Sequence, residues 1–205
     1  LYDVRAEQGH GGGLPLVVPK QGIAAPTVAT ACWADCIVLV PWAEYLARGD
    51  KELLRTMYPA MKKYLKAVKF WASLSGLGKY RSGIIDWMKR GREIATAYYA
   101  NSCRIVSEIA RILGKSEDAE YYASLSQKIA EAFRHVFTDG KGTLKKEFQT
   151  GYVLPLAFGL EEGAERETMA QNLDCLVRER RYHLSTGFTG TPHILFALAD
   201  GGRVE

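Results

Sequence analysis

Two short stretches of this chain pair a carboxylate with an indole: Trp33-Ala34-Asp35 in "ATACWADCIVLV" and Asp86-Trp87 in "SGIIDWMKR". Each lies in, or at the end of, an irregular run rich in glycine. The pairing suits a polar ring, because the C–H face of a sugar lies on an indole as an apolar ligand would, while a carboxylate accepts two hydroxyl hydrogens at once. The same residues also have a plainer reading. An aspartate before an apolar helical pattern is an N-cap, and a tryptophan beside it is core; a loop aspartate closes its own turn. A buried aspartate needs a partner in either case, supplied by the fold or by a ligand. Glu147, in "KKEFQTG", is a third acid, expected in solvent beside Lys145 and Lys146.

Other chemistries find no support. The four histidines, His10, His135, His183 and His193, share no metal-ligand spacing. The four cysteines fit no zinc pattern: Cys32 and Cys36 stand four apart, while Cys103 and Cys175 stand alone in apolar helical patterns. All four read as reduced core residues. No glycine-rich loop links a strand to a helix, and no Gly-x-Ser-x-Gly elbow is present. Neither a metal nor a cofactor is expected. The formal charge of +4, from 27 basic and 23 acidic residues, is too even for a nucleic-acid partner, and the dense run "RERRYH" reads as a solvated helix end. No stretch approaches the roughly 20 apolar residues of a membrane span, and "LYDVRAEQGH" has no signal-peptide pattern. A start without methionine and an end on "ADGGRVE" suggest a piece of a longer protein.

The elements that must position these residues are helical. Residues 1–32 contain "GHGGGLPLVVPKQGIAAP" and read as one long irregular segment. A helix follows from about Asp35 to Leu46, kinked or shortened by Pro41, with Gly49 as its stop and Asp50 as the next N-cap. Leu54, Met57, Tyr58, Met61, Leu65, Val68 and Ala72 recur at helical spacing as far as Ser75, interrupted by Pro59. Trp42 and Trp71 fall within these stripes and read as core. A second irregular run covers 76–93, after which Ile94, Tyr98, Ile105, Ile109 and Ile112 form a stripe that ends at Gly114. Ser116 then caps a helix with an acidic first turn, Glu117 and Asp118, and a stripe of Tyr122, Leu125, Ile129, Phe133 and Val136. "TDGKGT" makes a tight turn, and a further helix runs from about Ala164 to Arg180. Short connections such as "RGD" and "LGKSED" alternate with long glycine-rich ones bearing aromatics and acids. The pattern is all-α: antiparallel helical hairpins with their chemistry gathered on one face.

The ordered set "GLPLVVP", "WADCIVLVPWAEYLARGD", "DWMKRGREIATAYYANS", "QTGYVLPLAFGL" and "HLSTGFTGTPHIL" resembles the catalytic domain of bacterial α-L-rhamnosidases, from about Leu14 to Leu198. The resemblance implies part of a six-hairpin (α/α)6 toroid, with residues 1–205 as one domain that is a fragment of the barrel. It further implies hydrolysis of terminal α-L-rhamnosides with inversion, a rhamnose-containing oligosaccharide or glycoside as substrate, and Trp33, Asp35, Asp86 and Trp87 lining the rhamnose pocket. Ile85 stands where the family usually has glycine before the Asp-Trp pair, and Ala34 where it often has glycine. Inversion asks for a general acid and base roughly 6.5–9.5 Å apart. The family carries both in motifs outside these 205 residues, so the chain alone is expected to be inactive. Part of a toroid leaves apolar helix faces uncovered, which favours association of the isolated chain into a dimer or larger oligomer. Two other classes remain open: another six-hairpin glycosidase with a different sugar, and a non-catalytic helical-hairpin scaffold that binds a protein.

Overall fold

The computed structural model describes residues 1–20, 30–75 and 91–203. Among these residues the regular structure is helical: α1 (Tyr2–Ala6), α2 (Cys36–Arg48), α3 (Lys51–Ser75), α4 (Gly91–Ile112), α5 (Ser116–Phe137), α6 (Gln149–Phe158), α7 (Gly163–Glu179), α8 (Gly187–Gly190) and α9 (Ile194–Asp200). No described helix is long and apolar enough to cross a membrane.

Tight turns set the hairpins. Gly49 takes the left-handed conformation (φ 71°) and donates its N–H to the Tyr45 carbonyl at 2.7 Å, which ends α2. Asp50 then accepts the Leu53 N–H at 2.9 Å and starts α3 as an N-cap. Gly114 (φ 71°) and Gly159 (φ 69°) close α4 and α6 in the same way. Helices joined by so short a link and packed along their lengths run antiparallel, which gives the hairpins α2–α3, α4–α5 and α6–α7. The stripes separate two layers. Helices α4 and α6 are buried on nearly every side, whereas α5 and α7 bury one stripe each: Ala119, Tyr122, Ile129 and Phe133 in α5, Met169, Ala170, Leu173 and Val177 in α7. Side-by-side contacts run from α2 to α4 to α6 to α9, so the inner helices form a row and the outer ones clothe it.

Several expectations need correcting in detail. Residues 2–6 are helical rather than irregular, and the segment after them is strapped to α3. Gln8 donates to the Ala60 carbonyl at 3.0 Å, Arg5 donates to the Thr56 carbonyl at 2.9 Å, and Gly12 (φ 95°) lies so close to α3 that a Cβ would meet the Lys63 oxygen at 2.2 Å. Pro41 and Pro59 sit inside α2 and α3 without ending either helix. Ser116 is the first residue of α5 rather than its cap; the acid beside it, Asp118, instead binds Lys62 and the Tyr58 hydroxyl, both at 2.7 Å, and ties α5 to α3. Cys175 and Trp71 are exposed, because the buried stripes pass through Leu173 and Val177 in one helix and Val68 and Ala72 in the other. "TDGKGT" closes through Asp139, which accepts the N–H groups of Lys141 and Thr143, and through one antiparallel bridge from Thr138 to Leu144.

The turn from α6 to α7 holds an acid whose burial has a measurable cost. Glu161 is 3% exposed, and burial, reinforced by Glu165 and opposed by Arg134, pushes its carboxyl up from 4.5 to about 7. A raised folded-state value favours the neutral acid, so this contribution to stability is present below about pH 4.5 and is lost as pH rises toward 7. Glu161→Gln is therefore expected to melt above the wild type at pH 8, by about 1–2 kcal/mol of stability, with the gap shrinking toward pH 5. Thermal melts across that range check it; a gap independent of pH would refute it.

Candidate functional site

The Trp33 stretch is a short irregular turn leading into α2. Ala31 and Ala34 are buried on either side while the indole between them stays 47% exposed, so two small inward residues turn one large residue outward. The indole is held in place. Its Nε1–H donates to the Leu16 carbonyl at 2.8 Å, and its ring meets Phe188 of α8 at 6.2 Å in an edge-on arrangement. Beside it, Leu14, Pro15, Leu16, Val18, Cys32 and Cys36 help to line an apolar cleft of about 340 Å³.

Asp35 behaves differently. It stands at the N-cap position of α2 but makes no cap bond. Its carboxylate points back and inward: Oδ1 accepts the Ser102 hydroxyl of α4 at 2.6 Å, Oδ2 accepts the Cys32 N–H at 2.8 Å, and the Tyr64 hydroxyl of α3 is a further donor. The residue is 2% exposed. Burial pushes its carboxyl up, and these three donors pull it back toward the charged form. The capping expectation gives way here: the carboxylate takes its donors from the turn, α3 and α4 and makes no bond to the first turn of α2. What Asp35 does is hold the turn. Cys32 sits at φ 65°, a left-handed conformation unusual for a non-glycine residue, and in it the Cys32 N–H faces the carboxylate. The Cys32 and Cys36 thiols are raised by burial and then by the Asp35 charge, so neither is a ready nucleophile.

Of the remaining sequence candidates, Asp86 and Trp87 lie outside the described residues. Glu147 is exposed, as expected, and accepts the Tyr152 hydroxyl at 3.0 Å. Phe188 was missed. It is 52% exposed on the rim opposite Trp33, and the signal was there: an aromatic inside the glycine-rich run "STGFTG", the same setting as Trp33. Its loop is anchored by the start of α6. Gln149 bridges the Ser185 N–H (2.6 Å) and the His183 carbonyl (3.2 Å), Thr150 donates to the Thr186 carbonyl (2.5 Å), and Tyr98 of α4 donates to the Thr189 carbonyl (3.1 Å). Two rings from opposite ends of the chain thus meet at one rim, each tied from behind by buried polar groups. Among the described residues no three His, Cys, Asp or Glu side chains converge as a metal site.

The sequence model of the family described as the bacterial alpha-L-rhamnosidase 6 hairpin glycosidase domain matches residues 1–205. The chain belongs to this family. Within it, the chain is 35% identical over 210 residues to an alpha-L-rhamnosidase of Streptomyces avermitilis, covering 100% of this chain and 20% of that protein. It is 30% identical over 218 residues to one of Formosa agariphila, covering 100% and 23%. The fold agrees: the crystal structure of the S. avermitilis alpha-L-rhamnosidase complexed with L-rhamnose superposes with a TM-score of 0.89 at 34% identity, over 98% of this chain and 20% of that one. The native Aspergillus terreus alpha-L-rhamnosidase superposes with a TM-score of 0.84 at 26% identity, over 98% and 25%. The chain thus spans about a fifth to a quarter of the length of these relatives. Its helical hairpins are part of the six-hairpin toroid of the rhamnosidase domain.

Proposed function

We propose that this chain supplies one wall of the rhamnose pocket in an α-L-rhamnosidase that hydrolyses terminal α-L-rhamnosides with inversion. The observation that carries the reading is the Trp33 indole, half exposed and fixed by the Leu16 carbonyl and the edge of Phe188. A ring platform that needs no reordering when a sugar binds loses little entropy on doing so. In this reading Trp33 stacks on the sugar, Phe188 limits how the indole can tilt, and Asp35 keeps the turn in shape from behind. Asp86 and Trp87, in the stretch that precedes α4, are assigned as the second acid and indole on the resemblance of that motif to the family's. The proton-transfer acid and base come from segments of the longer protein beyond these residues. Similarity to a rhamnosidase crystallised with L-rhamnose favours this sugar over others that six-hairpin enzymes cleave.

Release of p-nitrophenol from an aryl α-L-rhamnoside tests it, with the complete protein and the 205-residue chain assayed side by side. Turnover is expected from the complete protein alone. Cleavage of an aryl α-D-glucoside in place of the rhamnoside would refute the sugar assignment, and turnover by the short chain would place the acid and base within it.

A further inference from the structure

A second opening lies at the far end of α6 from the loop that carries Phe188. It is a groove of about 1200 Å³ between the α4–α5 hairpin and the turn joining α6 to α7. Pockets for one small ligand run to roughly 300–1,000 Å³, so this groove has room for a chain of linked units. Arg104 and Glu108 of α4, Gln127 and Arg134 of α5, Glu161 in the turn and Glu165 of α7 face it.

Glu161 is an acid on this groove that takes no hydrogen bond from the described residues, although it is only 3% exposed. The nearby guanidinium of Arg134 spends a hydrogen bond on the Leu160 carbonyl at 2.6 Å instead. The Glu161 oxygens are not fully enclosed but open onto the groove, where water or a ligand hydroxyl supplies the donors that the protein does not. The other charges say what kind of ligand. Guanidinium and carboxylate groups alternate along the walls, so a polyanion or a polycation would meet as much repulsion as attraction. A neutral chain of hydroxyls, each both donor and acceptor, meets a partner at either sign.

We infer that this groove binds a neutral oligosaccharide, with Glu161 accepting hydroxyl hydrogens from it. The saccharide class rests on the glycosidase reading above; the groove and its unpartnered carboxylate do not. An enzyme with such a site would hold a glycan chain at a distance from the ring being cleaved.

Calorimetric titration of the complete protein, saturated with L-rhamnose to fill the Trp33 pocket, tests the inference. The probes are a thio-linked rhamno-oligosaccharide of four rings, which is not hydrolysed, and a gluco-oligosaccharide of the same length. The rhamno-oligosaccharide is expected to bind despite the rhamnose, and Glu161→Gln to weaken it at least tenfold. Gln127→Trp, at an exposed position on the groove's flank, obstructs the groove without touching the core and is expected to do the same; melting curves show that both variants are folded. Absence of binding in the saturated protein, or an unchanged Kd in both variants, would overturn the site. Binding of the gluco-oligosaccharide alone, lost in both variants and accompanied by no aryl α-L-rhamnoside hydrolysis, would support the groove and overturn the rhamnoside reading.

Discussion

Asp35→Ala is expected to destabilise the fold by about 3–5 kcal/mol, the range for removing one partner from a buried charged network. Ser102, 0% exposed, would lose its acceptor, and so would the Cys32 N–H and the Tyr64 hydroxyl. Each donor would then be left near or within the core without water to replace the carboxylate. The turn would suffer as well, since the left-handed conformation at Cys32 is held by the bond that disappears. Asp35→Asn separates these effects. Its carbonyl still accepts one hydrogen bond while its amide presents a donor to another donor, and because burial already disfavours the charge on Asp35, losing that charge costs little. The loss for asparagine is expected at about 1–2 kcal/mol. Urea unfolding with an unchanged m-value reads both, and an alanine variant within about 1 kcal/mol of wild type would show that the network does not hold the turn.

The helical pairing was legible because it depends on local signals. Leu54, Met57, Met61 and Leu65 are all buried as their spacing requires, and Gly49 and Gly114 turn where a left-handed residue must follow a helix. Asp35 was legible as a residue of interest, but its hydrogen-bond partners were not. Spacing places an aspartate before a helix, whereas the direction of its carboxylate is decided by Ser102, 67 residues further on in the next hairpin, and by Tyr64 on the facing helix α3. Trp71 shows the same limit in reverse. It falls within a helical run, yet Val68 and Ala72 take the buried face and leave it outside. Phe188 could be recognised only once its loop was seen against Trp33, because nothing in the sequence near either residue says that two turns about 150 positions apart share a rim. Glu161 gave no sequence signal: an acid before a helix start is ordinary, and only the turn's burial makes it costly.

Trp33→Ala in the complete protein is expected to lower kcat/KM on an aryl α-L-rhamnoside about tenfold to a hundredfold, equivalent to about 1.4–2.7 kcal/mol of lost ring contact. Stability should change far less than in Asp35→Ala, because the indole is half exposed and the buried neighbours Ala31 and Ala34 remain. That contrast separates the two residues: one holds the turn, the other uses it. Trp33→Phe keeps a ring face but not the Nε1–H that binds the Leu16 carbonyl, so it should recover part of the activity, with KM recovering less than kcat if a wandering ring is what limits binding. Phe188→Ala offers an independent check on the same geometry. With its edge gone, the indole loses one of its two supports, and KM should rise while the melting curve stays in place. If Trp33→Ala keeps more than half of the wild-type kcat/KM, the indole is not the sugar platform. The rim would then be a packing contact between two loops, and the pocket would have to be built from Asp86, Trp87 and the rest of the toroid.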